Sequence, residues 1–317
     1  MTQNMVRYVL KKLLLSIPTL LILALVIFAL MRAIPGDPAM MMVGDMADPD
    51  MLQQARKEMG LDEPYAVQFL IWFGDVLHGD FGTSRMTGED VLTAMLSRFA
   101  VTAKVVLIAV MLAIALAVPA GLYAAWRQNR PGDFAVVLAA NLFLSVPSFW
   151  MGMLLILLFG VTLQWLPTLG YVSTGENALA AAKYLAMPVL SLVFIEVATI
   201  TRMMRASTIE VLRQEYVTHA RAKGLGERTV LFRHVLKNAI APTVTLIGLI
   251  LGSLLGGAAV VETVFSLPGL GRFLVDAIYA RDYAVVQGVL ILVSAIYLLV
   301  NLLVDLVYPL LDPRVRL

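Results

Sequence analysis

The sequence predicts an all-α, polytopic membrane protein with six transmembrane helices and both termini on the inner side (N-in, C-in). Three observations carry that reading. Of the 317 residues, 60% are hydrophobic and 15% charged, against about 25% charged in soluble globular chains, and the mean hydropathy is +0.85. Several apolar runs reach the roughly 20 residues that cross the hydrocarbon core of a bilayer. The basic residues, finally, are clustered. The block 201–242 holds Arg202, Arg205, Arg213, Arg221, Lys223, Arg228, Arg233 and Lys237, a third of the 24 Lys and Arg, opposed only by Glu210, Glu215 and Glu227. The net charge of +2 says little; its distribution says which side each loop faces.

Taken in order, the spans are expected at 13–31, 101–125, 134–163, 184–200, 240–261 and 285–306. Arg7, Lys11 and Lys12 precede the first, and no small-residue cleavage site follows it, so it reads as an anchor that stays. The third, at about 30 residues, is too long for one straight crossing, and Ser145-Val146-Pro147-Ser148 interrupts it. Charge parity decides its nature. The N-terminal cluster and the 201–242 block are the two strongest positive-inside signals and should share a side; four crossings between them allow this, and five do not. The third span is therefore read as one broken crossing, which also puts the loop 127–133 and the tail 314–317 inside. Pro18, Pro119 and Pro188 lie within spans as packing kinks. The chain thus divides into an N-terminal tail and first helix (1–31), an outer cap segment (32–100) and a five-helix core (101–317).

The cap contains helix-like stretches at 48–59 and 65–77 and turns at Pro35-Gly36-Asp37-Pro38 and Gly79-Asp80-Phe81-Gly82. It is too small for much core of its own, so it should fold onto the membrane part. Within 201–242, Val211, Leu212, Tyr216, Ala220 and Leu225 recur at near-helical spacing, as do Val230, Leu231, Val235 and Leu236. Between the runs sits Gly224-Leu225-Gly226. The expectation is a surface loop built as helix, sharp turn, helix, with a small knuckle facing the cytoplasm. Arg221, Lys223 and Arg228 would meet acidic groups of a partner or anionic lipid. In the fifth span Gly248, Gly252 and Gly256 are spaced at four, which lets helices approach closely in lipid, either within this chain or against a second subunit.

Glu196 is the one ionisable residue expected well inside a span. A charge there costs on the order of 2–3 kcal/mol or more and normally faces protein or a water-filled cavity. Two readings fit: it lines a translocation path, or it is a structural partner for Arg202, Lys104 or a charge on another subunit. Lys104 and Asp305 lie near span ends, where long side chains snorkel. Cysteine is absent, which excludes disulfides and thiolate metal sites, and three histidines (His78, His219, His234) make a histidine metal cluster a poor fit. No Gly-Lys dipeptide occurs, so there is no Walker A phosphate cradle, and no HExxH or acyl-transfer constellation marks an enzyme. A stand-alone secondary carrier would be expected to bury several carboxylates or histidines at mid-membrane. The pattern is that of a pore-forming part whose energy enters from elsewhere.

At the level of motifs the sequence resembles the permease subunits of dipeptide/oligopeptide-type ABC importers, a group that includes nickel and glutathione permeases. The coupling motif is carried by Glu215, Tyr216, Ala220, Arg221, Ala222, Lys223, Gly224 and Leu225, followed by Arg233, His234, Leu236, Asn238, Ala239 and Pro242. Thr218-His219-Ala220 stand where the wider family has Glu-Ala-Ala. Three further segments agree: Arg32-x-x-Pro35-Gly36-Asp37-Pro38; Gly60-Leu61-Asp62-x-Pro64 with Gln68, Trp72 and Gly79-Asp80-x-Gly82-x-Ser84; and Glu262-Thr263-Val264-Phe265-Ser266-x-Pro268-Gly269-Leu270-Gly271 with Arg281-Asp282-Tyr283 and Val286-Gln287-Gly288. The resemblance implies a type I importer permease fold in a bacterial inner membrane, and a second homologous permease subunit. It also implies two cytoplasmic ATPase subunits that bind ATP and Mg, and an extracytoplasmic solute-binding protein. On it, Gly224 would sit in a cleft of an ATPase, and Pro268, Gly269, Arg281 and Asp282 would meet the binding protein. No cofactor of this chain's own and no nucleic-acid partner is implied.

Overall fold

The computed structural model describes residues 2–33, 39–40, 48–58 and 60–311. The turn Pro35-Gly36-Asp37-Pro38, Met59 and the tail 314–317 lie outside the described residues. Helix α1 (Thr2–Ala33) is followed by α2 (Pro49–Glu58) and α3 (Tyr65–Leu77) of the cap, then by α4 (Val91–Trp126). Next come α5 (Pro131–Leu144) and α6 (Ser148–Thr162), α7 (Ala178–Leu212), the short α8 (Glu215–Ala222) and the long α9 (Glu227–Val264). The chain closes with α10 (Leu270–Ala280) and α11 (Tyr283–Leu311).

Helices outrun the apolar runs that announced them. At about 1.5 Å per residue, the 36 residues of α4 span about 54 Å, well beyond a hydrocarbon core of about 30 Å. Residues 91–100, expected in the cap, are therefore the outer end of α4, started by Asp90, whose carboxylate accepts from the Thr93 N–H at 2.8 Å. Thr201–Leu212 likewise continue α7 rather than opening a loop, and Leu236–Pro242 already belong to α9.

The contacts fix which ends lie together. Gly248 on α9 packs against Val304 and Gly252 against Tyr297, so α9 and α11 run antiparallel. Lys12 on α1 pairs with Asp305 at 2.6 Å, beside the same end of α9. Thr243 donates to the Met204 sulfur, and Gly121 on α4 lies against Met204 and Thr201 of α7. The N-terminal cluster, the 127–133 loop and residues 213–229 thus share one end, the inner one by the charge rule. At the other end Gly288 meets Met95 and Val91, and Ser84 meets Asp282. Helices α5 and α6 bend by 96° at their break. Yet Asp133 at the start of α5 lies at the inner end, while Gly170, beyond α6, donates to the Phe265 carbonyl at the outer end. The pair is one broken crossing, which makes six.

The core lies along the seam of α4, α7 and α9, filled by Val105, Val106, Met187, Leu192, Val193, Ile200, Ile250 and Leu254. Two of the three spaced glycines serve packing inside this chain: a Cβ at Gly248 would enter Val304, and one at Gly252 the Tyr297 ring. Gly256 meets nothing within 4 Å. The outer end is pinned by Glu262, fully buried. Its carboxylate accepts from the Thr102 hydroxyl of α4 and from the Arg272 N–H at 2.9 Å, and Thr102 accepts from the Leu270 N–H at 2.8 Å. This acid caps α10, and Gly269 is glycine because any Cβ there would occupy the carboxylate's place. Helix α3 packs on α1, with Phe28 against Phe69 and Trp72.

The seam makes a stability prediction. Gly121→Ala puts a Cβ 2.7 Å from the Thr201 carbonyl, a backbone atom that cannot rotate away. Overpacking of this kind costs about 1–3 kcal/mol. The purified protein in detergent should melt several degrees lower, while Gly256→Ala should leave the melting temperature within a degree or two.

Candidate coupling site at the inner end of the bundle

Between α7 and α9 the chain leaves the bundle over residues 213–226 and returns. Helix α7 stops at Leu212; Gln214, with extended backbone, restarts the chain as α8. Val217 and Ala220 on one face of α8 are buried with Leu122, Met204, Val230, Leu231, Val235 and Ala239. Tyr216, half-buried, accepts a 2.9 Å hydrogen bond from the Asn238 side chain. The opposite face, with Glu215, Thr218, His219, Arg221 and Ala222, is exposed, as is every residue from Arg221 to Thr229. A short helix anchored by one apolar edge therefore offers a ridge away from the membrane.

Gly224 ends α8. Its φ of +79° is a left-handed conformation that costs other L-residues about 1–2 kcal/mol. The Gly224 N–H donates to the Arg221 carbonyl at 2.9 Å and the Leu225 N–H to that of Ala220 at 3.4 Å, closing the helix end. Nothing lies within 4 Å of where its Cβ would be. The sequence pointed to glycine as the device for a sharp turn, and the dihedral demands it. Arg221 is held by Glu227 through Nε–Oε1 at 2.8 Å and a second bond at 3.2 Å. This exposed fork fixes the turn's shape more than its stability. Lys223 and Arg228 have no partner within the chain among the described residues.

Of the residues singled out from sequence, Glu215, Arg221, Ala222, Lys223, Gly224 and Leu225 are on the free ridge, whereas Tyr216 and Ala220 anchor it. Glu196 on α7 is buried, at 8% exposure, and has no hydrogen bond or ion pair among the described residues. Of the partners suggested for it within the chain, Lys104 donates to Thr174 at 2.9 Å and to the Tyr171 hydroxyl, and Arg202 is exposed. At the outer end, Pro268 and Arg281 are exposed, but Gly269 and Asp282 are buried. Asp282 accepts from the Ser84 hydroxyl at 2.8 Å and the Met86 N–H at 3.2 Å, so it straps the cap to α11 and presents nothing outward.

Sequence reasoning missed the pair that frames the inner end. Asp133, counted as a loop residue, is buried in the first turn of α5. It accepts from Arg205 of α7 at 2.6 and 2.7 Å and from the Asn129 N–H at 3.0 Å. The available signal was Asp at helix position three after Pro131, a first-turn acid; its partner Arg205 was hidden among the other basic residues of the 201–242 block. Also missed were two π-helical stretches, Ile156–Thr162 in α6 and Val230–Val235 in α9.

A six-crossing helical bundle with an anchored ridge at its inner end defines the class: the membrane-spanning permease subunit of a transporter. Comparison with known proteins makes this specific. Residues 117–317 match the family described as binding-protein-dependent transport system inner membrane component, and residues 5–107 match the N-terminal component of such systems. The chain belongs to this family of ABC importer permeases. It is a multi-pass inner-membrane subunit and not an enzyme, the ATPase being a separate subunit, and membership sets aside the stand-alone carrier. Its relatives include a probable peptide ABC transporter permease, y4tP, of Sinorhizobium fredii, 40% identical over 309 residues, covering 98% of this chain and 99% of the relative. The dipeptide permease DppB of Alkalihalophilus pseudofirmus is 36% identical over an alignment of 332 residues, covering 98% and 100%. The glutathione permease GsiC of Salmonella typhimurium is 41% identical over 313 residues, covering 98% and 99%. An amino acid ABC transporter of known structure overlaps 70% of this chain and 94% of its own at 18% identity, with a TM-score of 0.47.

Arg205→Ala leaves the Asp133 carboxylate buried and unpaired, a loss on the order of 3 kcal/mol for a pair this enclosed. The thermal midpoint of the purified protein should fall clearly, and the exchanged pair Arg205→Asp with Asp133→Arg should recover part of the loss. Equal midpoints for wild type and Arg205→Ala would remove the pair from the frame of the inner end.

Proposed function

We propose that this chain forms one half of the translocation path of an importer for short peptides or closely related small solutes, and that it receives the force of ATP hydrolysis through the ridge 215–225. One observation carries the second part: α8 is fastened to the inner ends of α4, α7 and α9 by Val217 and Ala220 while its other face and the Gly224 turn stand free. A push on the ridge is delivered to three crossings at once, a rigid-body input of the kind that switches a bundle between inward- and outward-facing states. Of two cytoplasmic ATPase subunits, which bind ATP and Mg, one takes this ridge in its cleft. A second homologous permease completes the path, and an external binding protein delivers the solute to the end where Pro268 and Arg281 are exposed.

The solute class is supported by the printed functions of the relatives, which are peptide, dipeptide and glutathione permeases. All three solutes carry peptide bonds and charged ends; a nickel complex is the remaining possibility within the resemblance. Glu196, buried without a partner on α7, is the residue assigned to the path, where a cationic group of the solute would offset its charge.

Gly224→Trp combines a dihedral strained by about 1–2 kcal/mol with a bulky side chain on the ridge. In vesicles containing the complete transporter, ATP hydrolysis stimulated by loaded binding protein should fall at least tenfold while membrane insertion stays near wild type. Unaltered stimulation would refute the coupling role. In whole cells, a single cysteine introduced at Lys223 should be labelled only after the membrane is made permeable; labelling from outside would reverse the topology and the function with it.

A further inference from the structure

We propose that an anionic phospholipid of the inner leaflet seats in the groove between the inner end of α4 and the start of α9, with its phosphate on Arg228. The groove has a volume of about 460 Å³, within the range of small-ligand sites. Its walls include Leu122, Tyr123 and Trp126 of α4 and Leu231, Phe232 and Leu236 of α9. Phe232 is 61% exposed and Trp126 41%, so large apolar surfaces stand uncovered along its length. Their position says what covers them. Helix α4 is a membrane-crossing helix that ends at Trp126, and tryptophan at such an end sits at headgroup level. The groove therefore opens at the boundary between acyl chains and headgroups.

Charge at the mouth selects the headgroup. Arg228 lines the groove, is exposed, and has no ion-pair partner among the described residues. Glu227 beside it is neutralised by the fork from Arg221, at 2.8 and 3.2 Å. The Arg127 guanidinium lies over the Trp126 ring, 5.0 Å from its centroid. The loop 127–133 folds back on Tyr123, whose hydroxyl occupies the place of a Cβ at Gly132, and brings Arg130 to the same side. That loop's one acid, Asp133, is buried and bound by Arg205. Three arginines thus gather where both neighbouring acids are already paired, and cations so placed favour anionic lipid. The guanidinium fork matches a phosphate in particular. A choline headgroup would bring a second cation against the same arginines, and a soluble anion would leave the aromatic walls bare. Leu231 and Phe232 belong to the π-helical stretch that joins the elbow to α9, so the lipid bridges the elbow to α4. The inference rests on the ridge facing the cytoplasm, which labelling of Lys223→Cys tests separately, and not on its coupling role.

The test is native mass spectrometry of the complete transporter, delipidated in detergent and then offered phosphatidylglycerol or phosphatidylcholine with the same acyl chains. Wild type should retain at least one more phosphatidylglycerol than phosphatidylcholine per complex, and a large excess of glycerol 1-phosphate should not displace it. Arg228→Gln and Phe232→Ala should each lose at least one phosphatidylglycerol, with the melting temperature of Arg228→Gln at the wild-type value. Arg233→Gln removes an exposed cation of the same helix that does not line the groove, and it should lose none. Equal retention of the two lipids, or equal losses from Arg228→Gln and Arg233→Gln, would leave only an unselective lipid belt. Displacement by glycerol 1-phosphate would make this a site for a soluble anion. ATPase subunits dissociating from Arg228→Gln while its lipid stays bound would assign the arginine to the ATPase. Each of these results overturns the proposal.

Discussion

The seam between α4 and α7 is the constraint on which the rest of the bundle is built. In lipid there is little hydrophobic drive to bring helices together, so contact depends on close fit and on small residues that let backbones approach. Gly121 supplies that approach, with the space of its missing Cβ filled by Met204 and the Thr201 carbonyl. Below it the Arg205–Asp133 pair draws the start of α5 against α7, and above it Thr102 reaches Glu262 on α9. The start of α5 is thereby tied to α7 at the inner end and α9 to α4 at the outer end, with apolar packing between.

Polar chemistry is segregated to the two ends, and the ends differ in kind. At the inner end the charges brace helices against one another or stand free on the ridge, as Lys223 and Arg228 do. At the outer end they are turned inward. Asp282 straps the cap, Glu262 caps α10, and Gln68 closes the turn before α3 through its bonds to the Leu61 and Glu63 carbonyls. An end that is braced and exposed suits contact with a moving partner.

Much of this was legible in the sequence. Hydropathy located every crossing, charge parity resolved the broken one, and glycine with its flanking periodicity located the elbow, because each of these is a property of short windows. What escaped depends on contacts between distant segments. Helix ends such as Val91 and Leu212 lie in polar sequence and are helical through packing and caps. Asp133 looked like a loop residue because its partner is 72 positions away. Asp282 and Gly269 looked like surface residues because a charge and a turn glycine usually are, and only the folded cap reveals them as interior.

The π-helical stretch Val230–Val235 sits where the elbow joins α9. A π turn carries an extra residue relative to an α turn, so it sets the angular phase between the helical residues on its two sides. Since successive α-helical residues are about 100° apart, deleting one residue here and letting the turn relax would swing Glu227 and Arg228 around the axis by about that angle. The elbow's heading is thus set by a local irregularity of the backbone, and a single-residue change in length could re-aim it without altering any residue on its surface.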